Sequence, residues 1–178
     1  RPYKSMRDVI NAAKAEKRDI KYASQYALDR LIFEYVSKKE GVKFIPVPTQ
    51  GGNGTVQAVL ADQVDFGFSG GTFGPYAKSG QLRVIGAMSL ERMERFPDIL
   101  SLRDNGWEVG GENFVVFSAP KGTPKAVVDK LAKGFEAAAK STAVNNVIDT
   151  RYMKNVYMGP SETDKMIADG VKKYADLI

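Results

Sequence analysis

Apolar residues return every three to four positions through Ser5–Lys17, where Met6, Val9, Ile10 and Ala13 fall on one stripe, and this spacing predicts an amphipathic helix. Asp19–Ala23 is a short strand, and Ala27–Lys39 repeats the helical period at Leu28, Leu31, Ile32, Tyr35 and Val36 before Gly41 stops it. Val42–Val47 is a β-rich run interrupted by Pro46. Gly54–Gln63 is helical with Val56, Val59 and Leu60 inward, and Val64–Phe68 is the next strand. Thr72–Ser79 reads as a short helix ended by Gly80, and Leu82–Met88 as a further strand.

Short strands alternating with helices imply parallel pairing, hence a doubly wound α/β layer structure in which ligands bind outside the carboxyl ends of the strands. Leu90–Glu112 carries Pro97, Gly106, Gly110 and Gly111 and is an irregular connection. Phe114–Ala119 follows as a strand apolar on both faces, so it is expected to be covered on both. After a turn at 120–124 come a helix with Val127, Val128, Leu131 and Phe135 inward and a second helix at Val144–Tyr152. Asn155–Met158 is a short strand, and Ser161 with Asp164 marks the start of a last helix.

Composition changes this picture mainly by what it removes. There is no His and no Cys in 178 residues, so the commonest proton shuttle, thiol nucleophile and transition-metal ligands are missing, and a non-enzymatic role without cofactor or metal is expected. The net charge of +5 arises entirely within Arg1–Lys43, which raises the question of nucleic acid. Those cations alternate with acids at helical spacing, as in Arg30, Glu34 and Lys38, and the face is read as solvated, with i,i+4 pairs and no nucleic acid. No apolar run approaches the ~20 residues of a membrane span. The chain starts at Arg1 without an apolar leader, as expected of a processed or shortened product.

The candidate chemistry lies in three polar turns at successive strand ends. The first is Ser24, Gln25 and Tyr26; the second is Thr49, Gln50, Gly51 and Gly52; the third is Ser69, Gly70, Gly71 and Thr72. A glycine-rich turn opening a helix leaves main-chain N–H groups unpaired, which suits an anion, although each hydroxyl also fits plain helix capping. Gly52-Asn53-Gly54 has Gln57 where a dinucleotide fingerprint needs a third glycine, so that motif fails. Asp62 and Asp65 read as surface acids, not as an acid/base pair, and Trp107 as a structural plug. Tyr22, Tyr26 and Tyr76 fit core or rim packing better than ligand contact.

Several tracts together resemble the solute-binding receptors of tripartite tricarboxylate transporters, the Bug family. They are Val47-Pro48-Thr49-Gln50-Gly51-Gly52, Gln63-Val64-Asp65, 79–86, Arg95-Phe96-Pro97-Asp98, 105–109 and 119–124, in matching order over essentially the whole chain. The resemblance implies a type II periplasmic-binding-protein-like α/β fold: a doubly wound sheet lobe plus part of a second lobe. Residues 1–110 would form most of the second lobe, and 111–178 the C-terminal part of the first, whose N-terminal part is absent. It further implies a periplasmic receptor that captures a small organic carboxylate and delivers it to membrane permease subunits. The alternative is the effector-sensing domain of a transcription regulator with the same fold.

Overall fold

Helix α1, Met6–Glu16, begins where the sequence supplies a reciprocal cap: Ser5 Oγ accepts from the Asp8 N–H at 3.1 Å, and the Asp8 carboxylate accepts from the Ser5 N–H at 3.1 Å. The computed structural model describes residues 3–111 and 114–175. Strand β1, Ile20–Ser24, is followed by α2, Ala27–Glu40, by β2, Phe44–Pro48, and by α3, Gly51–Leu60. Strand β3 is the short Phe66–Gly67. The sheet order is β2-β1-β3 with both pairings parallel, Ile20–Ser24 lying against Phe44–Pro48 and Tyr22–Ala23 against Phe66–Gly67.

Strand alternation sorts the core into two layers. On one face Tyr22, Phe44 and Phe66 meet Phe33 of α2, with Tyr22 and Phe33 ring centroids 4.7 Å apart and Tyr22 and Phe66 stacked at 5.7 Å. Such pairs add about 0.5–1.5 kcal/mol each beyond burial. On the other face Ala23 and Val47 pack with Ala58 and Val59 of α3 and with Val64. Helices thus lie on both sides of a parallel sheet, as the alternation of elements predicts.

Two acids, one buried and one half-buried, tie this unit together. Asp65 accepts both Arg18 guanidinium nitrogens, at 2.9 and 3.0 Å, and the Lys21 N–H at 2.9 Å. The sequence placed Asp65 on the surface; a fully paired carboxylate is instead stable inside, because bidentate charge-assisted bonds offset its desolvation. Glu40, at the end of α2, accepts from Arg7, Lys14 and the indole of Trp107. Trp107 is buried, as a structural plug should be.

Three expected strands do not form among the described residues. Leu82–Met88 makes only an isolated parallel bridge, Ala87 with Ser101, because its main chain meets the start of α1 and a loop: Ile85 O accepts from Met6 N–H at 2.9 Å and Ala87 N–H bonds Leu100 O at 3.0 Å. Phe114–Ala119 and Asn155–Met158 form neither strand nor bridge among the described residues. Gly70–Phe73 is a 3₁₀ turn leading into α4, Gly74–Lys78, and Arg103–Asn105 is another 3₁₀ turn. No helix among the described residues is long and apolar enough to cross a membrane.

The chain divides into two compact units, residues 1–113 and 114–178. The second contains α5, Lys125–Ala139, α6, Thr142–Thr150, and α7, Pro160–Ala175. Helix α7 starts one residue before Ser161, and its entry is fixed by Gly159 N–H on Glu162 Oε2 at 3.0 Å. Phe117 stacks on Phe135 at 4.4 Å and Tyr157 Oη bonds Ala132 O, yet no side chain of these three helices is buried.

Candidate functional site

Parallel strands put their carboxyl ends on one edge, so the turns after β1, β2 and β3 share it, as the sequence reading requires. Side chains bolt the three turns to one another. Thr49 N–H donates to Ser24 O at 3.0 Å. The Gln25 side-chain amide donates to Thr55 Oγ1 at 2.7 Å and to Phe68 O at 2.5 Å, while the Thr49 and Thr55 hydroxyls lie 2.9 Å apart. One glutamine therefore bridges the first turn, α3 and the exit of β3.

Asp29 organises the first turn. Its carboxylate, buried in the first turn of α2, accepts the Ser24 hydroxyl at 2.7 Å and the N–H groups of Gln25 and Tyr26 at 2.8 and 3.1 Å. Those two main-chain donors, expected to face a ligand, are thus already satisfied by an acid of the chain itself. Burial, and next the nearby Asp29 carboxylate, push the Tyr22 phenol well above its ordinary value, so it stays protonated in the core.

The second and third turns keep their donors. Among the described residues nothing accepts from the main-chain N–H groups of Gly51, Gly52 and Asn53, at the positive end of the ten-residue helix α3, or from those of Gly70 and Gly71. Gly51 has φ +62°, a left-handed conformation that glycine takes without penalty. Gly52 is required for a different reason: a Cβ there would overlap Thr72 Oγ1 and stand 2.8 Å from Ser69 O. The third turn therefore rests directly on the start of α3.

Of the sequence-predicted residues, Ser24 and Ser69 are buried, and Gln25, Thr49, Gly52, Gly70, Gly71 and Thr72 are half-buried. Tyr26, Gln50 and Gly51 are exposed. Sequence reasoning missed Asp29 and Thr55. The signal for Asp29 was its place three residues into the helix after Tyr26, where an acid caps free N–H groups. Thr55 was legible as a hydroxyl on the apolar face of α3. No group of three or more Asp or Glu among the described residues is arranged to hold a metal ion.

Glycine-rich turns with open main-chain donors are thus gathered on the carboxyl edge of a parallel α/β sheet, the edge at which proteins of this architecture bind ligands. Residues 1–178 match the family described as tripartite tricarboxylate transporter family receptor, and the chain belongs to that family. It is 28% identical over 179 residues to the UPF0065 protein in the gbd 5'region of Cupriavidus necator, a match covering 99% of this chain and 55% of that protein. It is 26% identical over 104 residues to BugT of Bordetella pertussis, covering 58% of this chain and 32% of BugT. The chain spans about half the length, or less, of these curated relatives.

Solved structures establish the fold. A Rhodopseudomonas palustris protein solved with adipate superposes with a TM-score of 0.84 at 16% identity, over 99% of this chain and 60% of that one. MatC of the same organism, with bound malate, gives 0.77 at 18% identity, over 99% and 62%. A TctC solute-binding protein from Polaromonas, without ligand, gives 0.72 at 20% identity, over 99% and 62%. The architecture is thus that of the α/β periplasmic solute-binding proteins, of which this chain covers a part.

Proposed function

We propose that the protein is a periplasmic receptor that captures a small organic carboxylate and delivers it to the membrane permease subunits of a tripartite tricarboxylate-type transporter. The observation that carries this reading is the convergence of the turns at 49–53 and 69–72, with their open N–H groups, on one sheet edge in a chain of the receptor family. A carboxylate there exchanges water for preorganised donors at a helix start, and charge-assisted bonds of this kind are about twice as strong as neutral ones. Malate and adipate, found in two structural neighbours, indicate the ligand size.

In this reading residues 1–110 form most of the second lobe of a two-lobed receptor, and 111–178 contribute the C-terminal part of the first. The apolar side chains that residues 114–175 leave exposed, Val115 at 71% and Phe117 at 67% among them, favour a lobe completed by further chain. Thr49, Gln50, Gly51 and Gly52 with Ser69, Gly70, Gly71 and Thr72 supply the anion contacts. Ser24 and Gln25 hold the scaffold, and Tyr26 stands at the rim. The reading is non-catalytic, and any bound ligand is returned unchanged.

The test is calorimetric titration of the whole protein with a panel of mono-, di- and tricarboxylates, followed by mass spectrometry of the recovered ligand. Saturable binding of an unaltered carboxylate is expected. Failure to bind any carboxylate, or turnover of the one bound, overturns the proposal.

A further inference from the structure

One tract on which the family resemblance rests, Arg95-Phe96-Pro97-Asp98, has no place among the three turns. It sits in the middle of a loop whose ends are joined, Leu102 N–H bonding Ser89 O at 3.0 Å. Charged side chains brace that loop: Arg92 donates to the Asp104 carboxylate at 2.7 Å and to Pro97 O at 2.9 Å, and Arg103 pairs with Glu91. Phe96 N–H bonds Met93 O and Ile99 N–H bonds Phe96 O, each at 3.0 Å, and Pro97 narrows the backbone choices of Phe96. A half-buried ring is thereby held on a fixed stem, and it meets Phe73 with centroids 5.9 Å and planes 51° apart.

Phe73 is the last residue of the 3₁₀ turn that carries the open N–H groups of Gly70 and Gly71. That turn needs outside support more than the turn at 49–52 does. Strand β2 pairs with β1 over all five of its residues and α3 runs for ten, whereas β3 has two residues, pairs among the described residues with β1 alone, and leads through the turn into a helix of five. Within the turn Thr72 N–H bonds Ser69 O at 3.2 Å and Gly74 N–H bonds Gly71 O, and bonds of this 3₁₀ kind have poorer geometry than those of an α-helix. Its neighbours therefore fix where its donors stand: Ser69 and Thr72 lie against Gly52, and Phe73 lies against Phe96.

Resting on the carboxylate-receptor reading above, we propose that Phe96 is a positioning residue: its ring, acting through Phe73, holds the turn at 69–73 in the conformation that presents the Gly70 and Gly71 donors to a ligand. Without the ring the turn spends less time in that conformation, and a site whose competent state is less populated binds more weakly in proportion.

The experiment follows amide exchange in the whole protein, wild type against Phe96→Ala and Phe96→Tyr, and titrates each with malate and adipate. Loss of the ring is expected to speed exchange of the hydrogen-bonded amides of 72–74 about three- to tenfold, the range of one aromatic pair, while those of 20–24 keep wild-type rates. Binding should weaken by a similar factor, and a saturating ligand should return 72–74 to near wild-type protection, because it selects the held conformation. Phe96→Tyr keeps the ring and should match wild type in both respects. Unchanged exchange at 72–74 in Phe96→Ala overturns the positioning role, whatever the affinity does. So does exchange that rises equally over 20–24, since general loosening then accounts for it, and so does faster exchange at 72–74 with an unchanged affinity, or a Phe96→Tyr as defective as Phe96→Ala. A wild-type protein that binds neither acid counts against the carboxylate reading, and the exchange rates then decide the role of Phe96 alone, faster exchange confined to 72–74 supporting it.

Discussion

Glu40 shows how much one carboxylate can hold. It accepts from Arg7 at 2.7 Å, from Lys14 at 3.2 Å and from Trp107 Nε1 at 2.9 Å. Arg7 also reaches Asn105 O and lies over the Trp107 ring, 5.1 Å from its centre. One side chain thus fastens α1, α2 and the 105–107 turn. Burial pushes the Glu40 carboxyl up, but the hydrogen bonds from Trp107, Arg7 and Lys14 outweigh it and hold the group below its ordinary 4.5. A depressed carboxyl contributes stability that is complete above its unfolded value and is lost as pH falls through its folded one. Glu40→Gln is therefore expected to cost about 1–2 kcal/mol at neutral pH, Arg7 and Lys14 being partly exposed, and the cost should shrink below pH 4.5. Urea midpoints at pH 7 and pH 3 decide it, since an equal deficit at both would assign the effect to shape and not charge. At the turn after β1, Asp29→Ala leaves the Gln25 and Tyr26 N–H groups and the Ser24 hydroxyl without their acceptor. A loss of about 2–3 kcal/mol is expected by denaturant unfolding, and an unchanged midpoint would mean that the turn finds other partners.

At the scale of elements, the start of α3 separates two demands that the sequence merges in one Gly-Gly pair. Gly51→Ala meets open space and suffers only its left-handed φ, about 1–2 kcal/mol. Gly52→Ala drives a methyl into Thr72 and Ser69 and must displace the 69–73 turn. Thermal melts and ligand titration on the whole receptor should therefore rank Gly52→Ala as the more damaging to binding, and the reverse order would detach that turn from the site. The parallel strands β1, β2 and β3 and the helices between them were legible because their signals are local: a stripe at helical period, a β-branched run, a glycine between them. Leu82–Met88 and Phe114–Ala119 carry the same local signal and are not strands here, because a strand also needs a neighbour to pair with, and no residue within the run encodes that. The turns were found by composition. The partners that silence or expose their donors, Asp29 for Gln25 and Tyr26 and Thr55 for Gln25 and Thr49, depend on distances between elements that spacing along the chain does not give.

At the scale of the whole molecule, the two units differ in what they bury. The first has an aromatic layer and an aliphatic layer on opposite faces of its sheet, whereas α5, α6 and α7 bury none of their side chains. Amides that lack such cover open at low cost. Hydrogen exchange followed by mass spectrometry on the 178-residue chain should show 125–175 exchanging well ahead of 6–60, and equal protection would mean that these helices are covered in solution. The order β2-β1-β3 also decides which hydrogen bonds the sheet offers to its surroundings. Ile20 N–H bonds Lys43 O and Thr49 N–H bonds Ser24 O, so the odd-numbered positions of β2 face β1 and Phe44, Pro46 and Pro48 face outward. Two of those three outward residues have no N–H to give. A stray strand approaching this rim finds carbonyls with hardly a donor between them and cannot zip on, so the same prolines that interrupt the β-rich run also guard the exposed margin against amyloid-like stacking when receptors crowd together.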